Sequence, residues 1–153
     1  KIDPNLRFSV VGDGKQKIEC EEFVRQRKLP VTFTGFLNQT EIVQAYVASD
    51  CLVLPSDYGE TWGLVVNEAM ACGLPVIVSD HVGCHKDLVY SGQTGDIFPF
   101  GDHNALAELL VLFSSNPANV RSMGKRAKQK VADYSVENVV KGCIEAIKFV
   151  CKN

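Results

Sequence analysis

Apolar and polar positions alternate in short blocks whose period switches between that of a strand and that of a helix. Arg7 to Val11 reads as a buried strand, ended by Gly12-Asp13-Gly14. A charged amphipathic helix is predicted from about Lys15 to Lys28, stopped before Pro30. Val31-Thr32-Phe33-Thr34 is the next strand, with Gly35 as its terminator. Asn38 followed by Glu41 has the spacing of a capping box, and Ile42, Ala45, Tyr46 and Ser49 form a helical stripe. Cys51 to Pro55 is a third strand, apolar on both sides as a parallel-sheet strand should be. Gly63 to Cys72 is a helix with Gly73 as C-cap, Pro75 to Ser79 a fourth strand, and Asp96-Ile97-Phe98 a short fifth. Three helices close the chain. One starts at the N-cap Asp102 and carries Leu106, Leu109, Leu110 and Phe113; a basic one runs from about Asn119 to Tyr134. The last, from about Val136 to Lys152, has Val136, Val139, Cys143, Ile147 and Val150 on one face.

Short strands alternating with helices predict an α/β fold, a doubly wound, Rossmann-like parallel sheet covered on both faces. Ligands of such folds bind beyond the carboxyl ends of the strands. That directs attention to Gly12–Gly14, Gly35–Asn38 and Ser56–Gly63. At 153 residues the chain is one domain, residues 1–153, or one half of a two-domain enzyme. Its first residues, Lys1-Ile2-Asp3-Pro4, lack an initiator Met and a signal-peptide core, which points to a fragment.

Sixteen basic against eighteen acidic residues leave a formal charge of −2, so the electrostatic footprint of a nucleic-acid binder is missing. No apolar run approaches the ~18 residues of a membrane span. Six cysteines without a C-x-x-C pair read as reduced thiols of a cytoplasmic protein.

The most informative stretch runs from Pro55 to Ile77. It leaves a strand, crosses a loop of small residues and enters a helix whose free first-turn N–H groups and dipole favour an anion. Thr61 can cap that turn, and Gly63 lets a phosphate approach the backbone. Two carboxylates bracket it, Glu60 before the helix and Glu68 inside it. Eight helical residues span about 12 Å, the scale of a diphosphate with a sugar on either side. Carboxylates suit vicinal hydroxyls because each oxygen accepts strong hydrogen bonds. The plainer reading makes Glu60 a favourable acid at a helix start and Glu68 a solvated one. Against it, Val65, Val66, Ala69, Met70 and Ala71 surround Glu68 with apolar neighbours, so its charge wants a partner.

Several other signals are weaker. Gly12-x-Gly14 is no dinucleotide fingerprint, since Lys17 stands where a third glycine is needed. His81 and His85, with Cys84 and Asp87, imitate a metal site but fall in a loop, and are read as unrelated loop residues. The Arg121–Lys130 cluster reads as a solvated helix face, with a weak contact to anionic membrane lipid as the sharper alternative. Trp62 is either a packing residue or a sugar-facing platform.

Glu60-x7-Glu68, set within P-S-x-x-x-E-T-W-G-L-V-V-N-E-A-M-A-C-G-L-P-V-I, resembles the signature of the retaining GT-B glycosyltransferases, the glycogen-synthase-like group 1 family. Val10-Val11-Gly12-Asp13-Gly14, Val31-x-Phe33-x-Gly35 and Thr94-Gly95-Asp96-Ile97-Phe98-Pro99 with Gly101-Asp102 resemble further elements of that family, in order. The match covers about residues 7 to 115, the donor-binding C-terminal half of a GT-B fold.

The resemblance implies that Glu60 holds the hydroxyls of the transferred sugar and Glu68 those of the ribose. It assigns the diphosphate cradle to the amides around Gly63, Leu64 and Val65, with Thr61 and Trp62 in the same turn. It assigns the nucleobase slot to Gly35 and Phe36, and the crevice lining to Gly12 and Gly14. The donor is a UDP-, GDP- or ADP-sugar, and no metal or other cofactor is implied. The family's G-G-x-P-E loop is replaced here by Gly83-Cys84-His85-Lys86-Asp87. The family's first strand, its diphosphate-clamping Arg and Lys, and the N-terminal acceptor domain are expected to precede this chain, so these residues alone should transfer no sugar. In the family's strand order, 3-2-1-4-5-6, Arg7–Val11 and Cys51–Leu54 flank that first strand. They are expected either to close up and pair directly or to have the slot filled by another chain.

Alternatives from other classes are a non-catalytic nucleotide-sugar-binding or regulatory domain, a receiver-like signalling domain and a sugar-nucleotide epimerase. Asp13 stands without the acid cluster of a receiver, and the Glu60-x7-Glu68 helix disfavours the epimerase.

Overall fold

The computed structural model describes residues 6–151. The chain divides after Ala45 into two compact units, each built around its own parallel sheet.

In the first unit, β1 (Phe8–Val11) and β2 (Val31–Gly35) are joined by α1 (Lys17–Arg27). The strands run parallel, with Phe8 beside Val31 and Val10 beside Phe33, and the register shifts before Val11. That chain path is a strand–helix–strand unit, as the pattern predicts. Helix α1 ends when Lys28 turns left-handed (φ 50°) and the Leu29 N–H reaches back to the Val24 carbonyl. The capping box forms: Asn38 Oδ1 accepts from the Glu41 N–H at 3.1 Å, and Glu41 Oε2 accepts from the Asn38 N–H at 3.0 Å. It leads into α2 (Ile42–Val47).

The second unit holds β3 (Leu52–Leu54), α3 (Leu64–Ala71), β4 (Val76–Ser79), α4 (His85–Leu88) and β5 (Gly95–Phe98). Strand β4 lies between β3 and β5, parallel to both, and all four of its residues are buried. This is why its sequence is apolar on both sides. Ile77 and Phe98 of the sheet pack with Phe113, Val120 and Met123 into the core.

The next helix, α5 (His103–Ser115), begins as predicted at Asp102, whose Oδ1 accepts from the Asn104 and Ala105 N–H groups. Helix α6 (Pro117–Val131) starts earlier than Asn119, because Asn116 supplies the cap and Pro117 fits the first turn. It gives way to a 3-10 turn at Ala132–Tyr134. Gly124 of α6 lies so close to Gly73 that a Cβ would stand 2.0 Å from the Gly73 carbonyl oxygen.

The last helix, α7 (Val136–Val150), is capped by Ser135; its expected end at Lys152 lies outside the described residues. The predicted stripe of Val136, Val139, Cys143, Ile147 and Val150 is regular, yet none of α7 is buried. Amphipathic spacing alone therefore does not locate a packing partner.

Each unit keeps its own parallel neighbours, β1 beside β2 in the first and β3–β4–β5 in the second. The expected direct pairing of Arg7–Val11 with Cys51–Leu54 is not found among the described residues.

Candidate functional site

The loop between β3 and α3 is held from several sides. The Ser56 carbonyl accepts from Ser79 Oγ at the end of β4. Asp57 turns the chain by accepting from the Gly59 N–H at 2.8 Å. Residues 60–62 then lie backbone to backbone against residues 83–84. The Gly83 N–H donates to the Glu60 carbonyl at 3.4 Å and the Cys84 N–H to the Trp62 carbonyl at 2.9 Å. A Cβ on Gly83 would stand 1.9 Å from the Thr61 carbonyl oxygen, so only glycine permits this approach. The segment that departs from the family's G-G-x-P-E pattern thus supports Glu60, and its second half is the short helix α4 rather than a loop.

Helix α3 begins at Gly63 with φ 97°, a left-handed cap that carries no side-chain hydrogen bond. Thr61 therefore does not cap the helix: the left-handed turn at Gly63 takes the cap position, and Thr61 lies exposed before it. Gly63 is itself buried, and its absent side chain would meet Val82 Cγ1 at 2.9 Å. Its glycine is required by that packing and by its φ, rather than by open space for a ligand. The N–H groups of Leu64 and Val65 carry no protein acceptor among the described residues. Leu64 is exposed and Val65 half-buried. Uncapped N–H groups and the helix dipole together favour an anion.

Glu68 sits on the exposed side of α3, so the apolar text around it does not bury its charge, yet it has a protein partner in Tyr46. The Tyr46 hydroxyl donates to Glu68 Oε2 at 2.8 Å. Tyr46 is 6% exposed, and burial first, then the Glu68 carboxylate, pushes its hydroxyl pKa well above the usual tyrosine value. Glu60 is half-buried and forms no ion pair among the described residues. Beneath the loop, burial pushes the Cys84 thiol up to about 11, with the charge of Glu60 adding to it.

Trp62 is half-buried, donates from Nε1 to Asn67 Oδ1 at 2.9 Å and has its ring 6.0 Å from that of Tyr134. These contacts favour the packing alternative. His81 is stacked between Tyr58 (3.6 Å) and Phe100 (4.8 Å), while His85 Nδ1 contacts the Val82 carbonyl at 2.7 Å. No group of three or more His, Cys, Asp or Glu among the described residues is placed to hold a metal ion.

In the first unit, Gly12, Gly14, Gly35 and Phe36 gather at the carboxyl ends of β1 and β2. The Gly12 N–H donates to the Gly35 carbonyl at 2.8 Å, and both glycines have positive φ, 132° and 73°. Gly14 N–H is taken by Asp13 Oδ1. The Lys17 ammonium, 3.1 Å from Asp13 Oδ2, holds that carboxyl below the usual carboxylate range. Phe36 is 78% exposed, an apolar ring at the strand ends.

Residue patterns missed three contributors: Tyr46, assigned only to a helical stripe; Asn67, which ties Trp62; and the backbone contact of Gly83 with Thr61. A hydroxyl on an apolar stripe was the one available signal, for Tyr46.

The family model for glycosyl transferases group 1 matches residues 1–130. Sulfoquinovosyl transferase SQD2 of Arabidopsis thaliana is 35% identical over 135 residues, 86% of this chain and 26% of that protein. Sucrose-phosphate synthase from Thermosynechococcus elongatus superimposes with TM-score 0.78 at 32% identity, over 94% of this chain and 38% of the other. Anabaena HepE, solved in complex with UDP, is alike in fold with TM-score 0.85 at 23% identity, over 95% of this chain and 42% of its own. The chain thus spans less than half the length of each of these proteins. Among the described residues no helix is long and apolar enough to cross a membrane.

Proposed function

The chain belongs to the group 1 glycosyl transferases, and from that membership we propose that residues 1–153 act as one domain, the donor-binding half of a retaining enzyme. It moves a sugar from a nucleotide-diphosphate sugar to an acceptor hydroxyl presented by a separate acceptor domain. The observation that carries this reading is the uncapped start of α3, flanked by Glu60 before it and Glu68 within it.

In this reading the donor diphosphate lies against the amides of Gly63, Leu64 and Val65. The bond between the anomeric carbon and the diphosphate oxygen breaks, and a bond to the acceptor oxygen forms with retained configuration. The departing diphosphate takes the bonding electron pair and the negative charge, and its oxygen accepts the proton that the acceptor hydroxyl gives up. Helix amides aimed at that developing charge supply the main electrostatic stabilisation. Glu60 accepts from hydroxyls of the transferred sugar, and Glu68 from the ribose. Gly35 and Phe36, with Gly12 and Gly14 beside them at the ends of β1 and β2, are the nucleobase-binding residues of this reading. The chemistry requires no metal in this scheme, and the protein works in the cytoplasm. The exposed cations Arg121, Lys125 and Lys128 of α6 offer a weak contact to anionic lipid. Arg126 and Lys130 are engaged elsewhere, with the Gln93 carbonyl and the Tyr90 ring.

Turnover tests the proposal. The intact protein, supplied with UDP-, GDP- and ADP-sugars and candidate acceptors, should release a nucleoside diphosphate in step with glycoside formation. Residues 1–153 alone should bind weakly and transfer nothing. Binding without turnover in the intact protein would favour a regulatory nucleotide-sugar domain instead.

A further inference from the structure

The bond between Tyr46 and Glu68 joins α2 to α3 across 22 residues of sequence. Its length, 2.8 Å, is that of a well-formed O–H···O bond, and its acceptor is a carboxylate, which strengthens it. The tyrosine ring is buried, so its hydroxyl has a fixed origin, whereas Glu68 is exposed on the helix surface. No Lys or Arg among the described residues forms an ion pair with Glu68. The neutral hydroxyl of Tyr46 is therefore the group that restrains this carboxylate.

We propose that Tyr46 is a positioning residue for donor binding: it holds Glu68 by one oxygen in the orientation that receives the vicinal hydroxyls of a ribose. The inference rests on the reading of Glu68 as the ribose acid. A free glutamate must lose rotamer freedom when a ligand arrives, and a restrained one has lost it already. The bond occupies one lone pair of Oε2, which leaves Oε1 and the second lone pair of Oε2 for two further donors. A neutral donor suits this task better than an ammonium, which would offer several competing hydrogen-bond donors to the same carboxylate. Tyr46 touches no substrate in this arrangement and acts only through Glu68.

The test compares the tightest binder among UDP, GDP and ADP with its 2′,3′-dideoxy form, on the intact protein. In each variant the ratio of the two dissociation constants is taken within one preparation, so partial unfolding cancels. Tyr46→Phe keeps the buried ring and removes only the hydroxyl. It should weaken the ribose form about 2- to 10-fold, the scale of one immobilised side chain. The dideoxy form should bind as it does to the wild type. Glu68→Ala should remove the preference for ribose, and adding Tyr46→Phe to it should change nothing more. If Glu68→Ala weakens the ribose form and Tyr46→Phe does not, the role of Tyr46 is overturned and the reading of Glu68 stands. If Tyr46→Phe weakens both forms equally, the tyrosine is a packing residue and the inference falls. If Glu68→Ala binds the ribose form like the wild type, or none of the three nucleotides binds, the reading of Glu68 fails first and the inference with it.

Discussion

The Tyr46 hydroxyl on α2 donates to Glu68 Oε2 on α3 at 2.8 Å, so an exposed carboxylate is held by a buried ring. Glu60 has no such restraint on its side chain: its position is set by the backbone contacts of residues 60–62 with Gly83 and Cys84. The two acids of the candidate site are thus placed by different means.

The proposed reading also gives the two acids different roles. Glu68→Ala should weaken binding of the free nucleoside diphosphate, losing hydrogen bonds to a charged group worth about 1.5–3 kcal/mol. Glu60→Ala should leave that affinity nearly intact and impair transfer. Calorimetry and turnover on the two variants check the split, and an equal loss of nucleotide affinity in both would contradict it.

Gly83→Ala places a methyl group 1.9 Å from the Thr61 carbonyl oxygen, a backbone atom that cannot swing aside. Urea unfolding should report a loss of about 1–3 kcal/mol, and transfer should fall because Glu60 follows that loop. Wild-type stability in this variant would rule out the close approach of the two loops.

Gly124→Ala sets two effects against each other. Helix propensity alone favours alanine inside α6 by about 1 kcal/mol. The new Cβ, however, meets the Gly73 carbonyl oxygen at 2.0 Å. Overpacking of this kind costs about 1–3 kcal/mol and decides the sign, so the variant should melt lower than the wild type. A higher melting temperature would show that Gly73 and α6 do not approach this closely.

Two thiols make stability fall in alkali. Burial raises Cys84 from 9.0 to about 11 and Cys51 from 9.0 to about 12. Each folded value lies above the unfolded one, so the contribution is complete below pH 9 and is lost as pH climbs toward the folded values. The unfolding free energy should therefore decline from pH 9 upward, and Cys84→Ala should flatten the decline between pH 9 and about 11. An unchanged slope in that variant would place the thiol in water.

What could be read from the residues was what is settled locally. Asp102 and the Asn38–Glu41 pair sit within one turn of the N–H groups they satisfy, so their spacing carries the information. The apolar run Val76–Val78 of β4 follows from its place between two parallel neighbours. The failures share a distant cause. Thr61 loses the cap because Gly63 takes a left-handed turn packed against Val82, nineteen positions along the chain. The apolar neighbours of Glu68 in sequence suggest a buried charge, but the helix turns it to solvent, and its bond to Tyr46 joins residues 22 positions apart. The stripe of α7 states that a face is apolar and nothing about what lies opposite.

The central claim is that this chain holds the donor nucleotide on α3. Titration calorimetry of the intact protein with UDP-, GDP- and ADP-sugars tests it most directly. One nucleotide class should bind saturably at a single site, and Glu68→Ala should weaken that binding. A folded protein that binds none of the three classes, or binds one with Glu68→Ala as tightly as without it, would contradict the claim.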